Sequence, residues 1–161
     1  MDIVSHALIG WIICLLAGAH VPQAFWIILF SVIADIVLIP AYIILGKNNK
    51  RFLWIAKNGD WHGLAEKHPF LATAYDITHS LFFAVVIIYP AVIVFGLPKL
   101  AFAAYLSHLA VDIFSHKKEW AIKIFYPFKF KINGFSDVWA WPVYFMAISW
   151  AVLLAMILLI K

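Results

Sequence analysis

Long apolar runs separated by short polar breaks dominate the chain, and five of these runs read as helices able to cross a bilayer. The first, Ile3 to Ala19, carries Ser5 and His6 near its start and breaks at His20-Val21-Pro22-Gln23. Ala24 to Leu45 follows, with Asp35 and Pro40 in its second half. Pro22 suits the first turn of that helix, and Pro40, which lacks a backbone donor, is expected to kink or end it. The third run opens at Asp76-Ile77-Thr78-His79-Ser80 and reaches Phe95, where Gly96-Leu97-Pro98-Lys99 makes a second tight hairpin. Leu100 to His116 is the fourth run, and the uniformly apolar Val138 to Ile160 is the fifth. Asp76 or Thr78 is the expected N-cap of the third. The pattern predicts one all-α domain over residues 1–161, a polytopic membrane protein built as a bundle of about five transmembrane helices, with interfacial loops near 46–75 and 117–137.

Composition agrees with this reading. Hydrophobic residues make up 66% of the chain and charged residues 12%, against ~45–50% apolar in a soluble domain. The single cysteine, Cys14, rules out a disulfide framework and a cysteine-based zinc site. Met1-Asp2-Ile3 has neither a basic leader nor a cleavage site behind it, so the first helix is expected to be retained.

The basic residues orient the bundle. Lys47, Lys50, Arg51, Lys57 and Lys67 interleave with Trp54, Trp61 and Phe70 in one loop. Lys117, Lys118, Lys123, Lys129 and Lys131 interleave with Trp120, Phe125, Tyr126, Phe128 and Phe130 in the other. With five spans both loops share the side of the N-terminus and collect ten of the twelve Lys and Arg, leaving Lys99 and Lys161 opposite. The positive-inside rule then places the N-terminus in the cytoplasm and the C-terminus outside, in the inner membrane of the cell. Lysine alternating with aromatics is headgroup chemistry, worth ~1 kcal/mol per cation near anionic lipid. Membrane lipid is therefore the expected partner, and nucleic acid is not.

Within the fourth run, His108, Asp112 and His116 recur at i, i+4 and i+8 and form one polar stripe on a helix. An aspartate at the centre of a spanning helix costs ~2.5–3.5 kcal/mol, so such a stripe needs partners. The alternating direction of the spans supplies them. His6 begins span one, Asp35 lies ~8 Å before Pro40 on span two at 1.5 Å per residue, and Asp76 and His79 begin span three. All of these fall at the cytoplasmic depth of His108 and Asp112. Imidazole and carboxylate together are the ligand set of a divalent metal ion, zinc first among them. The expected metal ligands are His6, Asp35, His79, His108 and Asp112, with Asp76 or His116 as catalytic base. The depth of the site points to a lipid or lipid-linked phosphoester as substrate, with Lys117, Lys118 or Lys123 holding its anionic headgroup. His20, His62 and His68 are expected in solvent. The alternative is a non-catalytic membrane protein, a scaffold or an ion- or proton-handling device, in which His108 and Asp112 merely satisfy each other.

These motifs resemble the YdjM-like, LexA-binding, inner-membrane-associated hydrolases, also called membrane-bound metal-dependent hydrolases. The family's opening Thr-His and downstream Gly are similar to Ser5-His6 with Gly10, and its Pro-Asp-x-Asp to Ala34-Asp35-Ile36-Val37. Its Thr-His-Ser matches Thr78-His79-Ser80, its His-x-x-x-Asp matches His108 to Asp112, and its Pro-Phe matches Pro127-Phe128. Val37 replaces the second acid, and Ala74-Tyr75 stands where the family has His-Arg, with Asp76 just after. The resemblance implies a metal-dependent hydrolase at the inner membrane, with one ligand or phosphate contact missing or supplied differently.

Overall fold

The computed structural model describes residues 2–46, 61–136 and 143–160, and they are helical almost throughout, with no strand among them. Helix α1 (Ile3–Leu16) starts at Asp2, whose carboxylate accepts from the Val4 and Ser5 N–H groups at 3.1 and 3.0 Å. These donors have no partner inside the helix, so the cap stabilises its first turn. Gly18, in the left-handed region at φ +61°, turns the chain back into α2 (Val21–Val32), with Pro22 in its first turn.

Pro40 does not end the second helix. The winding tightens to 3-10 over Ile33–Leu38, and α3 (Ile39–Gly46) resumes α-helical geometry beyond it. The proline has no N–H to offer the Ile36 carbonyl and its ring crowds that oxygen, so the adjustment falls on the turns upstream. Asp35 lies in this tightened stretch. The continuous helix Val21–Ala41, 21 residues, is the one among the described residues that is long and apolar enough by itself to cross a membrane.

The described part of the predicted 46–75 loop is helical. It forms α4 (Trp61–Lys67) and α5 (Pro69–Thr78), which bury Leu64, Leu71 and Tyr75. The third run therefore begins in the middle of a structural unit. Helix α5 ends at His79, and α6 (Leu81–Val94) sets off at 56° to it. Ser80 caps α6, its Oγ accepting from the Phe83 N–H at 3.1 Å, so neither Asp76 nor Thr78 has the expected capping role. A wider π-type turn over Ala84–Ile88 precedes Pro90, the same response to a missing donor as at Pro40. Helices α5 and α6 meet the length test for a span only as this bent pair.

After a turn at Gly96 (φ +60°) comes α7 (Lys99–Ser115), and the last helix is α8 (Val143–Ile160). Helix α1 packs on α2, α7 and α8, and α2 packs on α7. Gly10 permits the first contact, since a Cβ there would stand 2.5 Å from Ser31 Oγ and 3.2 Å from the Ile28 Cα. Trp150 ties α8 to the start of α1 by donating from Nε1 to Asp2 Oδ1 at 2.9 Å.

The segment after α7 is no simple surface anchor. Trp120, Ala121, Ile122 and Ile124 are buried in the core, and Phe125, Phe128 and Phe130 point outward. An isolated antiparallel bridge between Ile122 and Ile132 closes the loop, and Ile124 O accepts from the Leu81 N–H at 2.8 Å. The first part of the 46–75 loop, with Lys47, Lys50, Arg51, Trp54 and Lys57, lies outside the described residues, as do the start of the fifth run from Val138, Lys161, and the side chains of Trp61 and His62.

Candidate metal centre

Four separate elements deliver the polar side chains to one place. His6 comes from the first turn of α1, Asp35 from the 3-10 stretch, His79 from the α5–α6 corner, and His108 and Asp112 from successive turns of α7. His6, His79, His108 and Asp112 are no more than 1% exposed, and Asp35 is 7% exposed. The corner explains His79. Helix α5 stops there, so the side chain turns inward between two helices.

The distances are those of a single constellation. His79 Nε2 lies 3.5 Å from Asp35 Oδ1 and 3.3 Å from Asp112 Oδ2. His108 Nε2 lies 3.8 and 3.3 Å from the same two oxygens. The two Nε2 atoms are 3.1 Å apart. His6 Nε2 approaches the other carboxylate oxygens, Asp112 Oδ1 at 3.1 Å and Asp35 Oδ2 at 3.9 Å.

Backbone carbonyls set the tautomers. His108 Nδ1 is 2.7 Å from Ser31 O and His79 Nδ1 is 3.0 Å from Tyr75 O. A carbonyl can only accept, so both rings donate from Nδ1 and, when neutral, turn the Nε2 lone pair inward. Two lone pairs 3.1 Å apart beside two buried carboxylates repel unless a cation or a shared proton sits between them. Carbonyl-oriented imidazoles are also the usual outer support of metal-bound histidine. Tetrahedral ligands of a small divalent ion stand ~3.3 Å apart at bond lengths of ~2.0–2.1 Å, close to the spacings here. Asp35, His79, His108 and Asp112 therefore form, among the described residues, a group that could hold a metal ion.

The remaining candidates divide. His116 ends α7 and is buried, with Nε2 3.3 Å from Asp112 Oδ1. Its position beside Lys117 gives no hint of that burial, which comes from the chain folding back: the Gly134 N–H donates to His116 O at 2.8 Å, and Phe135 stacks on Phe114. Asp76 is buried but pairs with Lys123. Val37, at the position of the second family acid, packs against the core. His20 is exposed as expected, whereas His68 is half-buried.

Other contributors carry little sequence signal. Ser115 Oγ lies 3.3 Å from Asp112 Oδ1, one turn along the same face. Thr78 Oγ1 donates to Ala34 O at 3.2 Å, and the Tyr105 hydroxyl donates to Thr78 O, so the α5–α6 corner is clamped to both the 3-10 stretch and α7. Tyr75, four residues before His79, stacks on its ring with centroids 3.8 Å apart. Its buried hydroxyl has no hydrogen-bond partner among the described residues.

Compared with known proteins, the chain matches no family model, no curated protein and no solved structure.

Proposed function

We propose that the chain is a membrane-embedded metal-dependent hydrolase of the YdjM-like kind, acting at the cytoplasmic face on a lipid or lipid-linked phosphoester. The observation that carries the reading is the pair of inward Nε2 atoms, 3.1 Å apart, with each ring turned onto a backbone carbonyl and two buried carboxylates alongside. A purely structural His/Asp pair needs one imidazole for one carboxylate, and here several converge. His79, His108, Asp35 and Asp112 would hold the ion, and the mixed imidazole and carboxylate donors suit Zn²⁺. When bound, such an ion supplies Lewis acidity and a water acidic enough to attack near neutral pH.

The chain's own residues do the rest. Ser31 O and Tyr75 O orient the two imidazoles, and Ser115 supports the far oxygen of Asp112. His116, on that same oxygen, is the base within reach of the pocket. Asp76, engaged by Lys123, is better placed to orient that lysine toward an anionic headgroup than to take a proton. Lys123 remains 22% exposed, so an arriving phosphate can meet it.

An exterior of bare apolar side chains supports the membrane setting. Val21, Val94 and Leu159 are 84, 77 and 87% exposed, on three different helices, while His6, Asp35, His79, His108 and Asp112 are buried. Five spans with the N-terminus inside remain the topology that gathers the basic loops on one side. An ion conduit would need polar groups along its whole length. The far end of the α1–α2 hairpin is instead a groove lined by Trp11, Cys14, Leu15, Val21, Phe25 and Ile28.

The test is incubation of the purified protein with a phospholipid and lipid-phosphate panel, with and without chelator. Product release that stops with chelator and in Asp112→Asn supports the reading. Turnover indifferent to both defeats it.

A further inference from the structure

The donors around Asp112 separate into two sets when each contact is assigned to a particular oxygen. Oδ2 faces His79 and His108, both at 3.3 Å. Oδ1 faces His6 at 3.1 Å and His116 at 3.3 Å. Asp35 divides the same way, with Oδ1 toward His79 and His108 and Oδ2 toward His6 at 3.9 Å. Each oxygen of Asp112 thus faces two imidazole Nε2 atoms at 3.1–3.3 Å, near the ~3.3 Å expected between ligands of one small divalent ion.

We propose that the centre takes two divalent ions, the second held by His6, His116 and Asp112 Oδ1, with Asp112 bridging the pair. Ring geometry carries the point further. The His6 and His108 rings, one from each set, stack with centroids 3.7 Å apart and 23° between planes, so their Nε2 atoms aim side by side at the two oxygens of one carboxylate. Charge then names the substrate class. One divalent ion only balances the charge of the two buried carboxylates. A second adds two positive charges, the complement of a phosphate monoester dianion, so the phosphoester of the proposed hydrolase is a monoester headgroup. This rests on the metal-hydrolase reading, changes His116 from base to ligand and returns His6 to the ligand role expected from the sequence.

Counting ions separates the two claims. The full chain in detergent is stripped with chelator and titrated with Co²⁺, followed by visible absorption, and Zn²⁺-reloaded protein is analysed for bound metal. Two equivalents are expected in both, falling to one in the His6→Ala/His116→Ala variant. One equivalent in the unsubstituted chain overturns the second site and leaves the single centre standing, with His6 and His116 then only hydrogen-bonding Asp112. No bound metal overturns both. The titration of the unsubstituted chain decides the matter without a variant, so a double substitution that fails to fold does not blunt the test. A Mn²⁺-loaded sample should show a spin-coupled pair by electron paramagnetic resonance, and only isolated Mn²⁺ signals would contradict the bridge.

Discussion

Gly134 occupies a place where no side chain fits. A Cβ there would lie 2.4 Å from Phe114 O and 2.7 Å from Ile113 O, both backbone atoms that cannot rotate away. Gly134→Ala is therefore expected to cost about 1–3 kcal/mol by overpacking, read as a lowered melting temperature. Because the Gly134 N–H holds the carbonyl of His116, the variant should also bind metal more weakly. Unchanged melting and metal content would show that the fold-back does not cover the site. Tyr75 makes the opposite prediction. Its buried hydroxyl lacks a partner among the described residues, and an unsatisfied buried polar group costs about 1–3 kcal/mol. Tyr75→Phe keeps the ring stacked on His79, so the variant should melt at the same temperature or higher. A clear loss of stability would mean that the hydroxyl is engaged after all.

At the scale of elements, two helices are adjusted ahead of a proline, and one of those adjustments carries a candidate ligand. A residue turns by ~120° in a 3-10 helix and by ~100° in an α-helix, so rewinding Ile33–Leu38 would swing Asp35 away from His79 and His108. Pro40→Ala restores the missing donor. It should leave the thermal stability of the metal-free protein intact or improved while reducing bound metal, a split that melting curves in chelator and metal analysis resolve. A variant that keeps its metal would show that the winding is independent of the proline. The α5–α6 corner tests more simply. Ser80→Ala removes the N-cap of α6 and should cost about 0.5–2 kcal/mol of stability.

For the whole molecule, the centre joins α1, the 3-10 stretch, the α5–α6 corner and α7, so an ion bound there reports on their common packing. Ligand linkage is worth about 4 kcal/mol at a thousandfold excess over the dissociation constant, so chelator should lower the melting temperature by several degrees and Zn²⁺ should restore it. A melting point indifferent to chelator would count against any bound ion. The orientation has its own check. A reporter fused at Lys161 should be active only outside the cytoplasm, and cytoplasmic activity would invert the proposed topology.

The apolar runs, the hairpins at Pro22 and Gly96 and the helical spacing of His108 and Asp112 are local properties, written in hydropathy and in residues that set φ. For that reason the all-helical architecture was legible in the chain itself, and four of the five ligands expected from it, Asp35, His79, His108 and Asp112, form the group that could hold a metal ion. The bend at His79-Ser80, the 3-10 winding around Asp35 and the helices within the predicted loop were not. Each depends on what packs against the segment: Thr78 on Ala34, Ser80 on the first turn of α6, Leu64 and Tyr75 in the core. The burial of His116 is of the same kind, since a residue beside Lys117 looks solvated until Gly134 and Tyr75 close over it. Which oxygen of Asp112 each imidazole meets was likewise decided only by tertiary structure. Spacing can bring side chains to a common depth, but the atom-by-atom direction of a donor is set by the backbone carbonyls and neighbouring rings that the fold brings in from distant positions.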